Sequence, residues 1–237
     1  EFTMLWPSSL LSGRLLRRYK RFLADIELDN GEVLTVHCPN TGAMTGCDLP
    51  GSPVWVSHSD NPKRKYAYTW QLVEVAGQRI CIHSALANTV VAEALDEGVI
   101  GELAGYEGYR REQRLEGSSR VDFLLHGGGL AACALEVKSV TLHIGDGEGR
   151  FPDAVSQRAR RHVQGLQARV EAGEASGLLF AVLHEGIESV APAAEIDPAY
   201  AEALASAAKA GVEVLAYRAS IDPVTGMRLT TAVPVAL

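Results

Sequence analysis

The sequence has few of the residues that mark several whole classes of protein. Its 237 residues include only four cysteines and three methionines, and aromatic residues make up 6%. Because no two cysteines have C-x-x-C spacing, we expect reduced thiols rather than a disulfide framework. The residues that could form a zinc site are His37, Cys38, Cys47 and His83.

Long apolar segments are also missing. No apolar run has the length of a membrane span, and the beginning of the sequence lacks the apolar region of a signal peptide. We therefore expect a cytoplasmic protein with no membrane partner. With 47% hydrophobic and 22% charged residues, the chain is an ordinary globular protein with room for one large domain or two smaller ones.

An excess of basic charge is absent overall but present locally. The net charge is −7, which argues against nucleic acid as a partner. Residues 4–83, however, carry nine Lys/Arg against seven Asp/Glu, whereas residues 84–237 carry thirteen against twenty-one. Local clusters determine phosphate affinity, and the candidate nucleic-acid contacts are Arg17, Arg18, Lys20, Arg21, Lys63, Arg64 and Lys65. The alternative is that these clusters are solvated edges that resist aggregation.

The first 83 residues have a β pattern. Candidate strands are 15–28, 33–37, 54–57, 66–75 and 80–83, with a hairpin turn at Asp29-Asn30-Gly31. Five short strands suit a small OB-like barrel, with an SH3-like barrel as the alternative. Such barrels often bind single strands through basic grooves and stacked aromatic side chains.

From residue 84 the pattern alternates between helices and strands. Asn88 is a candidate N-cap for a helix through residue 94, and Asp197 is the candidate N-cap of a later helix that ends before Gly211. The other elements are strands 109–115, 120–126, 132–140, 178–183, 212–217 and 229–233, and a helix over 155–170. We predict an α+β chain of two domains: an OB-like β-barrel at 4–83, then an α/β domain with a mixed sheet at 84–237. The order of its elements is that of PD-(D/E)xK nucleases, an analogy at the level of fold.

Three residues carry the chemistry of the second domain. Glu136 and Lys138 are two positions apart on a predicted strand, so they share one face of the sheet. If Gly127-Gly128-Gly129 is the hairpin loop, Asp122 lies opposite residue 134 and on that same face. A loop of even length would move Asp122 to the other face.

An aspartate followed by Glu-x-Lys is a pattern with which many nucleases hold Mg²⁺ beside a phosphate. Two carboxylates supply hard oxygen ligands for Mg²⁺ or Mn²⁺. The metal stabilises developing charge and activates water, and a lysine can orient that water. We therefore take Asp122 and Glu136 as metal ligands and Lys138 as a catalytic residue. The alternative is a solvated sheet face with a cross-strand ion pair.

Other polar residues could approach the same face. Glu112 precedes the strand of Asp122 and is a further catalytic candidate, as is Glu93 on the first helix. Arg158 and His162 are four residues apart and share one helix face. We expect Arg158 to contact phosphate and His162 to take part in phosphate binding or acid–base chemistry.

Longer motifs make the chain similar to a known family. They are residues 17–25, 37–47, 61–66, 119–125, 136–142 and 151–158, together with His162. On these motifs the chain resembles the sugar fermentation stimulation protein A family. The resemblance implies a DNA-binding protein with an OB-like N-terminal domain and a PD-(D/E)xK-like C-terminal domain, and Asp122, Glu136 and Lys138 match the latter's site. Ala43 departs from the pattern, which has serine there.

The sequence thus leads to one expected function and two alternatives. We expect a DNA-binding protein whose C-terminal domain is a Mg²⁺-dependent phosphodiesterase. The first alternative is a non-catalytic, sequence-nonspecific DNA-binding regulator of sugar-utilisation genes, which the family resemblance supports. The second is an RNA-processing factor, because an OB-like barrel accepts either nucleic acid.

Overall fold

A computed structural model describes residues 4–115 and 120–237 of the chain. Six strands form the N-terminal sheet, with no helix among them in the described residues. They are β1 (Leu11–Tyr19), β2 (Leu23–Leu28), β3 (Val33–His37), β4 (Pro53–His58), β5 (Tyr68–Val75) and β6 (Gln78–Cys81).

Five of these strands close into a barrel. They pair in the order β3-β2-β1-β4-β5, and β3 then meets β5 in parallel at His37 and Thr69. This connectivity confirms the predicted OB-like barrel, and β6 adds to the outside of β5. Its interior is apolar, with Leu15, Ile26 and Trp70 fully buried.

One predicted strand is in fact a hairpin. The sequence predicts a single strand over 15–28, but the chain turns between β1 and β2 at Lys20 and Arg21. Both residues have positive φ angles, 51° and 64°. A turn of this kind usually contains Gly or Asn. Because this turn contains neither, the sequence pattern did not predict it.

The C-terminal part contains three helices and nine strands in the described residues. The helices are α1 (Leu86–Asp96), α2 (Gln157–Glu171) and α3 (Pro198–Ala210). The strands are β7 (Gly108–Arg114), β8 (Arg120–His126), β9 (Cys133–Val140), β10 (Leu142–His143), β11 (Glu148–Phe151), β12 (Ala175–Val182), β13 (Ser189–Pro192), β14 (Glu213–Asp222) and β15 (Gly226–Ala232).

The predicted mixed sheet is confirmed. Its order is β15-β14-β12-β9-β8-β7, with parallel pairing of β12 to both β9 and β14 and antiparallel pairing elsewhere. Helix α1 covers one face, and α2 and α3 cover the other. A small sheet of β10, β11 and β13, which the sequence did not predict, packs beside it.

The pairing of β8 with β9 differs from the predicted register. Leu124 pairs with Ala134 and Phe123 with Leu135, so the count places Asp122 opposite Glu136 rather than residue 134. Each partner on β9 is thus shifted by two residues from the predicted register. Because this difference is even, Asp122 and Glu136 keep the predicted parity.

Buried caps fix the two helices that cover the site. Ser156 caps α2 through a bond from the Ala159 N–H, so α2 begins later than predicted. Asp197 caps α3 as predicted, with Oδ1 accepting from the Tyr200 N–H at 3.0 Å. Its Oδ2 accepts from the Ser156 N–H at 2.9 Å. One buried carboxylate therefore fixes the starts of both helices.

A loop of the barrel docks against the second domain. The Arg18 guanidinium donates to the carbonyl oxygens of Asn40 at 2.9 Å and of Gly42 at 2.8 Å, which shapes the loop. The Met44 N–H at its end donates to Asp153 Oδ2 at 3.3 Å. Arg18 thus acts, through this loop, on how the barrel meets the second domain.

None of the helices in the described parts of the chain is both long and apolar enough to cross a membrane.

A substitution at Gly42 tests the contact between the 40–43 loop and the second domain. A Cβ at this position would lie 2.9 Å from Asp153 Oδ2 and 3.0 Å from Asn40 Oδ1. We expect Gly42→Ala to lower the free energy of unfolding by about 1–3 kcal/mol, measured by urea denaturation. In the control Gly165→Ala, the new Cβ meets no atom within 4 Å in helix α2. The control should stabilise the protein, and equal effects of the two changes would contradict the contact.

Candidate functional site

A buried carboxylate lies at the centre of the second sheet. Glu136 is on β9, is 5% exposed, and lies beside Leu178 of β12. Two positions along the strand, Lys138 places its Nζ 2.6 Å from Glu136 Oε1. The predicted sharing of one face is therefore observed as a direct ion pair.

Helix α2 adds a third group to this pair. His162 Nδ1 contacts Glu136 Oε1 and lies 3.2 Å from Lys138 Nζ. The histidine side chain is only 10% exposed. Glu136, Lys138 and His162 form one compact cluster of three titratable groups, and the caps at Ser156 and Asp197 hold the helix that brings His162 there.

Asp122 is oriented by two donors. It lies just beyond the last paired residues of β8 and β9, where its Oδ2 accepts from the Val137 N–H at 2.8 Å. Its Oδ1 accepts from Asn88 Nδ2 at 3.0 Å. The carboxylate replaces a strand–strand hydrogen bond, so its position is fixed by the backbone of β9.

The two carboxylates differ in acidity. Burial, and then the charge of Glu136, raises the pKa of Asp122. For Glu136, burial acts to raise the pKa, but hydrogen bonds and charge from His162 and Lys138 outweigh it and the pKa is lowered. Glu136 is therefore held ionised by its partners, whereas Asp122 carries the unrelieved repulsion between two nearby acids.

This donor set fits a divalent metal ion. Asp122 and Glu136 offer two carboxylates with hard oxygen ligands, and a cation would relieve the repulsion that raises the Asp122 pKa. Across residues 4–115 and 120–237, no group of three or more His, Cys, Asp or Glu forms a preformed cage. The ion that fits such a site is one that keeps water and takes ligands from a substrate, as Mg²⁺ does.

Two residues of the site were missed by sequence reasoning. Asn88 was predicted as an N-cap, but α1 begins at Leu86 without a side-chain cap, and Asn88 instead donates to Asp122. Tyr200 of α3 is fully buried, and its hydroxyl has no partner among the described residues. Burial and then the charge of Glu136 raise its pKa. No pattern in the sequence links either residue to the cluster.

The other predicted catalytic residues lie outside the cluster. Glu112 has a positive φ of 53°, is 62% exposed, and pairs with Arg120 at 3.3 Å. Glu93 accepts a hydrogen bond from the backbone of Met4, and burial raises the pKa of its carboxyl group. Arg158 is exposed on α2, one turn before His162. The catalytic role of Glu112 and the phosphate contact of Arg158 stay predictions.

The basic residues of the barrel divide into paired and open groups. Arg17 bonds Asp25 at 2.8 Å, and the Arg18 side chain is only 9% exposed because it holds the 40–43 loop. Arg18 Nη2 also donates to the carbonyl of Arg21 at 3.0 Å. Lys20 and Arg21 are exposed on that turn.

A second basic group lies between β4 and β5. Lys63, Arg64 and Lys65 are exposed there, and Arg64 Nη2 donates to Thr69 Oγ1 at 2.7 Å. Nucleic-acid contact by either group stays a prediction.

The residues of the zinc alternative do not form a site. All four cysteines are free and buried. Burial raises the pKa of Cys47 and of Cys81 to about 12, so these thiols stay protonated. Cys38 donates instead to the Met44 sulfur at 3.6 Å.

Comparison with known proteins places the chain in a family. The model of the SfsA N-terminal OB domain matches residues 16–82, and that of the sugar fermentation stimulation protein RE domain matches residues 85–225. A sugar fermentation stimulation protein homolog from Marinomonas sp. (strain MWYL1) is 49% identical over 98% of this chain and 90% of its own. One from Shewanella baltica (strain OS155 / ATCC BAA-1091) is 53% identical over 93% and 94%.

A solved structure has the same fold. It is the structure of SfsA from Pyrococcus furiosus in complex with Ca²⁺. The match covers 100% of each chain, with a TM-score of 0.88 and 24% sequence identity. Both domains and nearly the whole length are therefore matched, and the chain belongs to the sugar fermentation stimulation protein family.

Proposed function

We propose that this protein is a divalent-metal-dependent phosphodiesterase that acts on nucleic acid, with DNA as its expected partner. The observation that carries the proposal is the meeting of Asp122, Glu136, Lys138 and His162, which come from two strands and a helix. An OB domain that precedes this site suits nucleic acid as substrate. The Pyrococcus relative was solved with Ca²⁺, another hard cation with oxygen ligands.

Each residue has a role that follows from its contacts. Asp122 and Glu136 would hold Mg²⁺ or Mn²⁺, which supplies charge stabilisation at the phosphate and lowers the pKa of water. Lys138 contributes a fixed positive charge and orients the attacking water. His162 has Nδ1 in the cluster, which leaves Nε2 to exchange a proton with the substrate. Asn88 positions Asp122.

A second candidate function is a DNA-binding regulator that does not cleave. The observation in its favour is that Lys138 and His162 both contact Oε1 of Glu136, one of the two carboxylates assigned to the metal. The protein would then keep the nuclease frame for its shape. The cleavage experiment described next also tests whether RNA is the substrate. A cytoplasmic location stays a prediction from the sequence.

Cleavage is the direct test of the proposed function. Labelled single- and double-stranded DNA and RNA should be cut in Mg²⁺ or Mn²⁺ and left intact in EDTA. Asp122→Asn and Lys138→Ala should each reduce the rate about a hundredfold or more while binding persists. Asp96→Asn, an exposed change of the same chemistry on α1, should have no effect. Failure of the unmodified protein to cut any of these substrates, with binding intact, would support the regulator instead.

DNA binding by the barrel is tested at the β1–β2 turn. Lys20 and Arg21 are exposed there, and Phe22 beside them is 46% exposed and open to stacking. Lys20→Gln with Arg21→Gln should weaken binding and reduce the slope of log affinity against log salt by about two, one for each lost phosphate contact. Lys209→Gln on α3 is the control. An unchanged slope would show that this turn does not contact DNA.

The stability role of Lys138 is separate from catalysis. Lys138→Met leaves Glu136 buried beside His162 alone, so we expect the free energy of unfolding to fall by about 3 kcal/mol. Adding Glu136→Gln removes the uncompensated charge and should restore most of the loss. Chemical denaturation of the single and double variants measures both effects. A double variant no more stable than the single one would contradict the ion-pair account.

A further inference from the structure

The barrel contains a polar cavity that shares no lining residue with the Asp122–Glu136 cluster. Its volume is about 500 Å³, within the range of small-molecule sites. Its lining includes the polar residues His37, Ser57, Arg64, Thr69, Gln71 and His83. Three of them, the Ser, Thr and Gln, are at most 5% exposed. Buried polar groups on a barrel wall are costly unless hydrogen-bonded. Ser57 and Gln71 bond each other, and Thr69 bonds Arg64.

Gln71 fixes the hydrogen-bonding character of His83. Gln71 Nε2 donates to Ser57 Oγ at 3.0 Å, and Gln71 Oε1 lies 2.8 Å from His83 Nδ1. An amide oxygen can only accept, so Nδ1 carries the proton. Burial, followed by the charges of His37 and Arg64, lowers the pKa of His83 to about 4. The imidazole is therefore neutral at pH 7, and its Nε2 is an acceptor.

Arg64 supplies the one permanent positive charge of the cavity lining. Its guanidinium is oriented by the bond from Nη2 to Thr69 Oγ1, which leaves the rest of the fork for a ligand. Burial and the charge of Arg64 also lower the pKa of His37. The lining contains one carboxylate, Asp60, whose side chain is fully exposed and lies 3.3 Å from His58 Nδ1.

Two chain segments connect this cavity with the second domain. Pro39 and His83 line the barrel cavity, while their neighbours Asn40 and Ser84 line a second cavity of about 240 Å³. The two segments are tied by a bond from Asn40 Nδ2 to the carbonyl of Ile82 at 2.9 Å. The second cavity is also lined by Ser139, which directly follows Lys138 on β9. The two cavities are therefore neighbours through residues 39–40 and 83–84, and the second cavity reaches β9 at Ser139.

We propose that the barrel cavity binds one phosphorylated nucleotide, with its phosphate on Arg64 and an N–H donor of its base on His83 Nε2. A bare phosphate satisfies only the first of these groups. The choice of a nucleotide over another phosphate ester rests on the proposed function, because an OB barrel that precedes a phosphodiesterase site suits nucleic acid. The nucleotide is either free or the phosphorylated end of a bound strand.

Calorimetric titration in EDTA tests this site without the metal. AMP should bind to the whole protein about tenfold more tightly than inorganic phosphate or glucose 6-phosphate. Arg64→Gln should weaken AMP binding about tenfold, whereas Lys209→Gln, which removes an exposed charge on α3, should not. In NMR spectra the imidazole signals of His37 and His83 should shift on addition of AMP.

Oligonucleotides separate the two sources of the nucleotide. A ten-residue thymidine strand with a 5′- or 3′-phosphate should bind more tightly than the unphosphorylated strand if the cavity holds a strand end, and Arg64→Gln should abolish the difference. Equal binding of the three strands, with AMP binding intact, identifies a free nucleotide.

Two results would overturn the inference: no AMP binding that depends on Arg64, or equal binding of glucose 6-phosphate. Because no metal or cleavage is involved, the site can stand if the phosphodiesterase proposal fails. The reverse also holds, since cleavage that depends on Asp122 can occur with no AMP bound at the barrel.

Discussion

The charge of Glu136 is the constraint on which the second domain depends. A carboxylate on a central strand, 5% exposed, is far too costly to leave unpaired. Lys138 from the same strand and His162 from α2 both contact its Oε1. The helix can supply His162 only because Ser156 and Asp197 fix where α2 and α3 begin. Strand parity, helix caps and the cluster are thus parts of one arrangement.

A second arrangement of the same kind holds the barrel to the site. The charge pattern makes Arg18 a candidate nucleic-acid contact. In the structure its guanidinium instead donates hydrogen bonds to the carbonyls of the 40–43 loop and of Arg21. It positions both the basic turn at Lys20 and Arg21 and the loop that meets Asp153. Of the neighbouring basic residues, those exposed on the turn are the ones available to phosphate.

The sequence predicted those features that depend on local periodicity. The alternation of β8 and β9 and the parity of their pairing were enough to place Asp122, Glu136 and Lys138 on one face, even though the register is shifted by two residues from the predicted one. The error was harmless because only parity decides the face. The Asp197 cap and the OB barrel followed from equally local signals.

Features set by tertiary contact were not predictable. Asn88 looks like an N-cap by residue type, but its amide donates to Asp122, 34 positions away. The turn at Lys20 and Arg21 has no Gly or Asn, so one predicted strand became two. Tyr200 lies on a helix whose apolar stripe it simply joins, and nothing in that stripe shows that its hydroxyl is buried near a charged glutamate.

The central claim is that Asp122 and Glu136 form a divalent-metal site, and anomalous diffraction from crystals grown with Mn²⁺ tests it most directly. The account predicts an anomalous peak between the two carboxylates in the unmodified protein and none there in Asp122→Asn. It also predicts that Lys138 stays beside Glu136 when the metal binds. A peak elsewhere, or no peak with Lys138 and His162 still in contact with Glu136, would contradict the claim and leave only a buried ion pair at this position.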